Sequence, residues 1–97
     1  MSENIVRRTL VVTDPAGVHA RTAVAIAEVA RRGPAAVTLI KDGQRVSATD
    51  VLQIMTMVAA QGDQIEIEAA GDDAAAAIDA LEPLFGGQFG DEAQKTA

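Results

Sequence analysis

Apolar and polar positions along this chain change period several times, and each change marks an element. From Ile5 to Thr13 the residues are rich in β-branched types, with Val6, Leu10 and Val12 on one face, which predicts a strand. Asp14-Pro15-Ala16-Gly17 is a turn signal. From Ala20 the spacing becomes helical: Ala23, Ile26, Ala27 and Ala30 fall at i, i+3, i+4 and i+7. Arg31-Arg32 suits a helix C-terminus, and Gly33-Pro34 stops the helix. Ala35 to Ile40 reads as a second strand, and Asp42-Gly43 within Lys41–Gln44 is a hairpin signal leading into Arg45-Val46-Ser47. A second helix is expected near Asp50, with Val51, Ile54, Met55 and Val58 as its core stripe and Leu52 and Met57 off it, ending at Gln61-Gly62-Asp63. Gln64 to Ala69 alternates strictly, Ile65 and Ile67 against Glu66 and Glu68, as a strand with one wet face does. Gly71-Asp72-Asp73 opens a third helix, where acids suit the positive end, and Ala74, Ala77, Ile78, Leu81 and Phe85 form its apolar face. From Gly86 the chain turns polar and glycine-rich.

The predicted order is β-α-β-β-α-β-α, which places helices on one face of a largely antiparallel sheet, an α+β class. No internal repeat or linker divides the chain, so residues 1–90 are expected to form one domain and 91–97 a frayed tail.

Composition narrows the function. Of 97 residues, 48% are apolar, but 20 are Ala, which leaves too few large side chains for a deep substrate cavity. A formal net charge of −6 opposes binding to nucleic acid or an anionic membrane. With no Trp or Tyr, stacking on nucleobases is disfavoured. The absence of Cys removes disulfides and thiolate chemistry, and with a single His no metal ligand set is expected. Met1-Ser2-Glu3-Asn4 has no signal-peptide pattern, and no apolar run approaches the ~20 residues of a membrane span. A cytoplasmic protein without membrane insertion is the expectation.

The one histidine, His19, stands where the turn meets the first helix. The leading N–H groups of a helix have no intrahelical partner and carry the positive end of its dipole. A phosphoryl group on His19 can be received by the N–H groups of Ala20 and Arg21, with the Arg21 guanidinium adding charge-assisted bonds. Gly17 permits a tight backbone just before the site. A positive helix end also disfavours an imidazolium, leaving a ring lone pair for attack. On its own, a His beside an Arg at a helix start is more often ordinary surface chemistry.

The wider pattern changes that weight. Gly17-Val18-His19-Ala20-Arg21, followed by Ala23, resembles the signature G-[LIV]-H-A-R-[PA]-A of the HPr family, the histidine-containing phosphocarriers of the bacterial phosphotransferase system. Val46 to Met55, Gln61 to Ile67 and Gly71-Asp72-Asp73 are similar to further blocks of that family, so the likeness spans about residues 4 to 85. The resemblance implies an open-faced β-sandwich, a four-stranded antiparallel sheet with three helices on one face. It implies that His19 accepts a phosphoryl group on Nδ1 from enzyme I and passes it to enzyme IIA domains or regulatory proteins. Arg21 assists, no cofactor is needed, and the protein is a carrier and not a free-standing enzyme. Partner docking is assigned to Val51, Leu52 and Met55. Two alternatives stay open: a regulatory or nitrogen-type paralogue using the same His19 chemistry, and a non-catalytic binding module.

Three positions depart from the family pattern. Thr22 replaces Pro or Ala and is expected to place a hydroxyl near the site. Gln53 stands where Gly is frequent. Asp50 occupies the position of a regulatory serine in many members, and it reads either as a helix N-cap or as a standing partial imitation of phosphoserine.

Overall fold

The computed structural model describes residues 4–89. Its elements are β1 (Ile5–Val11), α1 (Ala20–Arg32), β2 (Ala36–Lys41), β3 (Gln44–Ser47), α2 (Val51–Thr56), β4 (Gln64–Ala70) and α3 (Ala74–Leu81), followed by a 3₁₀ turn at Glu82–Gly86. The order is the one that the hydrophobic periodicity predicts. The tail expected over 91–97 lies outside the described residues.

The four strands form one antiparallel sheet in the order β1-β4-β2-β3. The last strand in sequence is thus internal, with Ile67 opposite Arg8 on one side and Leu39 on the other. This placement accounts for its strict alternation. Ile65, Ile67 and Ala69 are fully buried under the helices, while Glu66 and Glu68 sit on the open face. Between β2 and β3 the chain reverses in two residues, Asp42 (φ 50°) and Gly43 (φ 82°). A two-residue hairpin with positive φ at both positions matches the twist of its strands.

The three helices cover the other face. α1 contributes Ala23, Ile26, Ala27 and Ala30, α2 contributes Ile54, and α3 contributes Ala74, Ile78 and Leu81. Leu84 and Phe85 of the 3₁₀ turn extend this core, so the apolar face predicted for the third helix continues past the α-helix proper. Each buried Ile or Leu contributes about 1.5–3 kcal/mol by leaving water. Asp73, in a left-handed conformation (φ 62°), is the N-cap residue of α3 and makes no side-chain capping bond, so its carboxylate acts there through charge alone.

On the open face Glu68 accepts a hydrogen bond from Arg7 at 3.1 Å and another from Arg45 at 3.0 Å. The Arg7 bond, reinforced by Arg45, holds the Glu68 carboxyl below the ordinary range of a glutamate. Arg8 lies on the inner side of the edge strand β1 and reaches past the core to Asp79 (2.8 Å) and Glu82 (2.9 Å). An inward-facing charge of this kind protects a sheet edge from pairing with other chains.

α2 differs most from expectation. It ends at Thr56, well short of Gln61. The Thr56 hydroxyl donates to the Gln53 carbonyl at 2.6 Å, and Val58 takes a left-handed φ of 48°. That reversal turns Met57 into the core (3% exposed) and Val58 outward (75% exposed). The predicted stripe therefore holds at Ile54, leaves Val51 half-buried and Met55 exposed, and fails at Val58, and Met57 takes the core position instead.

Asp50 caps this short helix. Its Oδ1 accepts from the Gln53 backbone N–H and its Oδ2 from the Gln53 side-chain amide, both at 3.1 Å. The Gln53 side-chain oxygen Oε1 in turn accepts from the Ser47 N–H at 3.0 Å. Asp50→Ala is expected to cost about 1 kcal/mol, the usual loss of a good N-cap. Urea denaturation checks this, and unchanged stability would show that the cap contributes nothing.

Candidate functional site

The loop before α1 is built by Asp14. Its Oδ1 accepts from the Ala16 N–H at 2.9 Å, and its carbonyl accepts from the Gly17 N–H at 2.8 Å. A side chain that bonds its own backbone two residues on is the usual device for such a turn. The N–H groups of Thr13 and Asp14 both reach the Phe85 carbonyl at 3.1 Å. Val18 donates to the Ala59 carbonyl at 2.8 Å. The loop is thus tied to the 3₁₀ turn and to the segment after α2.

Gly17 is required here for two reasons. Its φ is 69°, and a Cβ added to it would lie 2.6 Å from the Ala59 carbonyl oxygen. Only glycine lets the two backbones approach so closely.

His19 is the N-cap residue of α1, in extended conformation (φ −111°, ψ −174°), and its side chain makes no capping bond. Ala23 donates to the His19 carbonyl at 2.9 Å, closing the first turn. Among the described residues the N–H groups of Ala20, Arg21 and Thr22 find no acceptor. The imidazole is 37% exposed, and its Nε2 lies 3.7 Å from Asp14 Oδ2. That distance brings a negative charge to one side of the ring without a hydrogen bond. The ring also meets Phe89 edge to face, with centroids 5.9 Å apart and planes at 67°. The Arg21 guanidinium carbon lies 4.6 Å from the centre of the same Phe89 ring.

His19, Ala20 and Arg21 thus stand together at one helix end, directly after the loop that Gly17 shapes. A partly exposed imidazole, open backbone donors and a cationic side chain can together hold an anion. Among the described residues no three His, Cys, Asp or Glu side chains cluster as metal ligands would, and no helix is long and apolar enough to cross a membrane. Of the predicted docking residues, Leu52 is 78% and Met55 38% exposed, and Val51 is half-buried. Val58, read as core from the sequence, joins them on the surface.

Thr22 corrects a further expectation. Its side chain is fully buried on the core face of α1, and among the described residues its hydroxyl has no hydrogen-bond partner. A buried hydroxyl without a partner costs about 1–3 kcal/mol. Thr22→Val keeps the shape and removes that cost, so a gain of about 1 kcal/mol is expected on thermal unfolding. A loss of stability in this variant would mean that the hydroxyl is satisfied after all.

Two residues at the site escape the sequence reading. Asp14 is legible as a turn former, but not as the charge beside His19. Phe89 lies in a stretch read only as polar and glycine-rich. The available signal is its rarity: it is one of two aromatic residues in the chain besides His19, and it stands alone among polar neighbours.

The family model for the phosphorylation site of the PTS HPr component matches residues 6–86. The phosphocarrier protein HPr of Treponema pallidum is 38% identical over 88 residues, covering 91% of this chain and all of that protein. The phosphocarrier protein NPr of Escherichia coli is 33% identical, covering 90% of this chain and 98% of that one. Among solved structures, HPr from Bacillus anthracis superposes with a TM-score of 0.78 at 31% identity, over 82% of this chain and 95% of its own. An HPr from Thermoanaerobacter tengcongensis gives 0.79 at 30%, over 87% and 94%.

Proposed function

This chain belongs to the HPr family of phosphotransferase-system phosphocarriers, and from that premise we propose that His19 is its phosphoryl acceptor, taking the group from enzyme I and passing it to enzyme IIA domains or regulators. The observation that carries the reading is the chain's only histidine seated as an exposed N-cap, with the open N–H groups of Ala20 and Arg21 beside it. Nε2 faces Asp14, so Nδ1 is the nitrogen available for attack. A proton on Nε2 leaves the Nδ1 lone pair free. The P–N bond to Nδ1 forms as the bond to the donor breaks, and no proton has to move. Negative charge on the phosphoryl oxygens is met by the helix end and by Arg21. Gly17 holds the loop in the shape that presents them.

The carrier works in the cytoplasm as one half of each transfer site, completed by its partner, and has no turnover of its own. Val51, Leu52 and Met55 provide the docking surface. Exposed Met and Leu side chains adapt to several partners in turn. A regulatory or nitrogen-type role with the same His19 chemistry stays beside this reading, because the relatives include proteins called NPr as well as HPr.

Asp50 stands in place of a regulatory serine and acts as a helix cap. The neighbouring hydroxyls of Ser47 and Thr49 are bonded to each other at 2.9 Å and partly buried. A serine-directed kinase therefore has no ready target at this turn.

The deciding experiment mixes the protein with phosphoenolpyruvate and enzyme I and seeks an acid-labile phosphoryl adduct on His19. Failure to form one with either a sugar-type or a nitrogen-type enzyme I would refute the acceptor role.

A further inference from the structure

We infer that Phe89 is a positioning residue for the phosphoryl site, holding the Arg21 guanidinium on its ring while leaving the N–H groups of that guanidinium free for phosphate. The inference rests on the reading of His19 as acceptor. Arg7, Arg8 and Arg45 are each held by carboxylates at 2.8–3.1 Å. A carboxylate occupies guanidinium donors and offsets the charge. Arg21 has no such partner among the described residues, and its guanidinium carbon lies 4.6 Å from the Phe89 ring centre instead. The ring face attracts a cation through its quadrupole and takes up no donor. It thus restricts the guanidinium while its donors remain available to an incoming anion.

The same ring meets His19 edge to face at 5.9 Å, so one side chain touches both groups that the transfer needs. Its placement is built into the fold. After the 3₁₀ turn the chain reverses at Gly87 (φ 85°), where the Gly87 and Gln88 N–H groups donate to the carbonyls of Leu84 and Pro83. A Cβ at Gly87 would lie 2.9 Å from Asp14 Oδ2, so this reversal sits directly on the carboxylate that faces His19. Phe85 is 1% exposed and serves the core, whereas Phe89 stays only partly buried, at the site.

The test uses the full chain with enzyme I and phosphoenolpyruvate and follows the initial rate of phosphorylation and the lifetime of the phosphohistidine. Phe89→Leu keeps apolar bulk and removes the ring; a decrease of about three- to fivefold in rate or lifetime is expected. Phe89→Trp restores a ring face and should recover most of the loss. In an Arg21→Ala background, Phe89→Leu should have little further effect. In the NMR spectrum of wild type, the Arg21 side-chain protons should show a ring-current shift that Phe89→Leu abolishes. A phosphorylated Phe89→Leu protein with wild-type rate and lifetime overturns the inference alone. So does an undiminished Phe89→Leu effect without Arg21. Absence of phosphohistidine on the wild-type protein overturns the acceptor reading and this inference with it.

Discussion

His19→Gln forms no acid-labile phosphoryl adduct when mixed with phosphoenolpyruvate and enzyme I. The loss is complete because the chain has no second histidine to take over. Gln keeps a polar side chain of similar reach but lacks a nucleophilic ring nitrogen. Since the His19 side chain makes no capping bond, the substitution removes no hydrogen bond from α1. Thermal unfolding should therefore stay close to wild type, which separates lost chemistry from lost fold. Arg21→Ala keeps the acceptor and removes one stabilising cation, so transfer is expected to fall by on the order of a hundredfold, the scale of one preorganised electrostatic group. Radiolabel on His19→Gln would place the phosphoryl group on another residue and end the acceptor proposal. Equal rates for Arg21→Ala and wild type would remove Arg21 from it.

Gly17→Ala should be the most destabilising small substitution near the site. Two costs add. A residue with a Cβ at φ 69° pays about 1–2 kcal/mol for the left-handed conformation. The new methyl also meets the Ala59 carbonyl oxygen at 2.6 Å and the Ala60 Cα at 3.1 Å, both backbone atoms held in place. Relieving that contact moves the loop or the segment after α2, at about 1–3 kcal/mol. A total near 3 kcal/mol is expected, a fall in midpoint of about 12–24 °C for a domain of this size. Gly62→Ala supplies the control, since Gly62 has a φ of 93° but open space where its Cβ would go. It should pay only the conformational cost. Equal destabilisation in the two variants would show that contact with Ala59 is irrelevant. Because Val18 hangs from Ala59 and His19 follows it, Gly17→Ala should also slow transfer in the fraction that remains folded.

These two results differ in how far the sequence alone could have anticipated them. His19 and Arg21 are legible because the chemistry is local: a histidine, a helix start and an arginine within three positions. Gly17 is legible as a turn residue, but its contact with Ala59 is not, since the two lie far apart in the chain. Thr22 shows the same limit. Its position two residues past the first helical residue suggests a place near the site, yet the rotation of α1 against the sheet turns it into the core.

Alternation in Gln64–Ala69, the stripe of α1 and the Asp42-Gly43 reversal were readable because each reports which side of one element meets apolar surroundings. That information determined the element order, the α+β class and the location of the candidate acceptor. Periodicity carries no record of which strand lies beside which, so the central place of β4 emerged only from long-range pairing. The end of α2 was settled by one hydroxyl bond and one left-handed residue, which exchanged Met57 and Val58 between core and surface. Asp14 and Phe89 came to His19 through the turn at Asp14 and the reversal at Gly87. Their roles depend on distances between remote segments, and those exist only once the chain has folded.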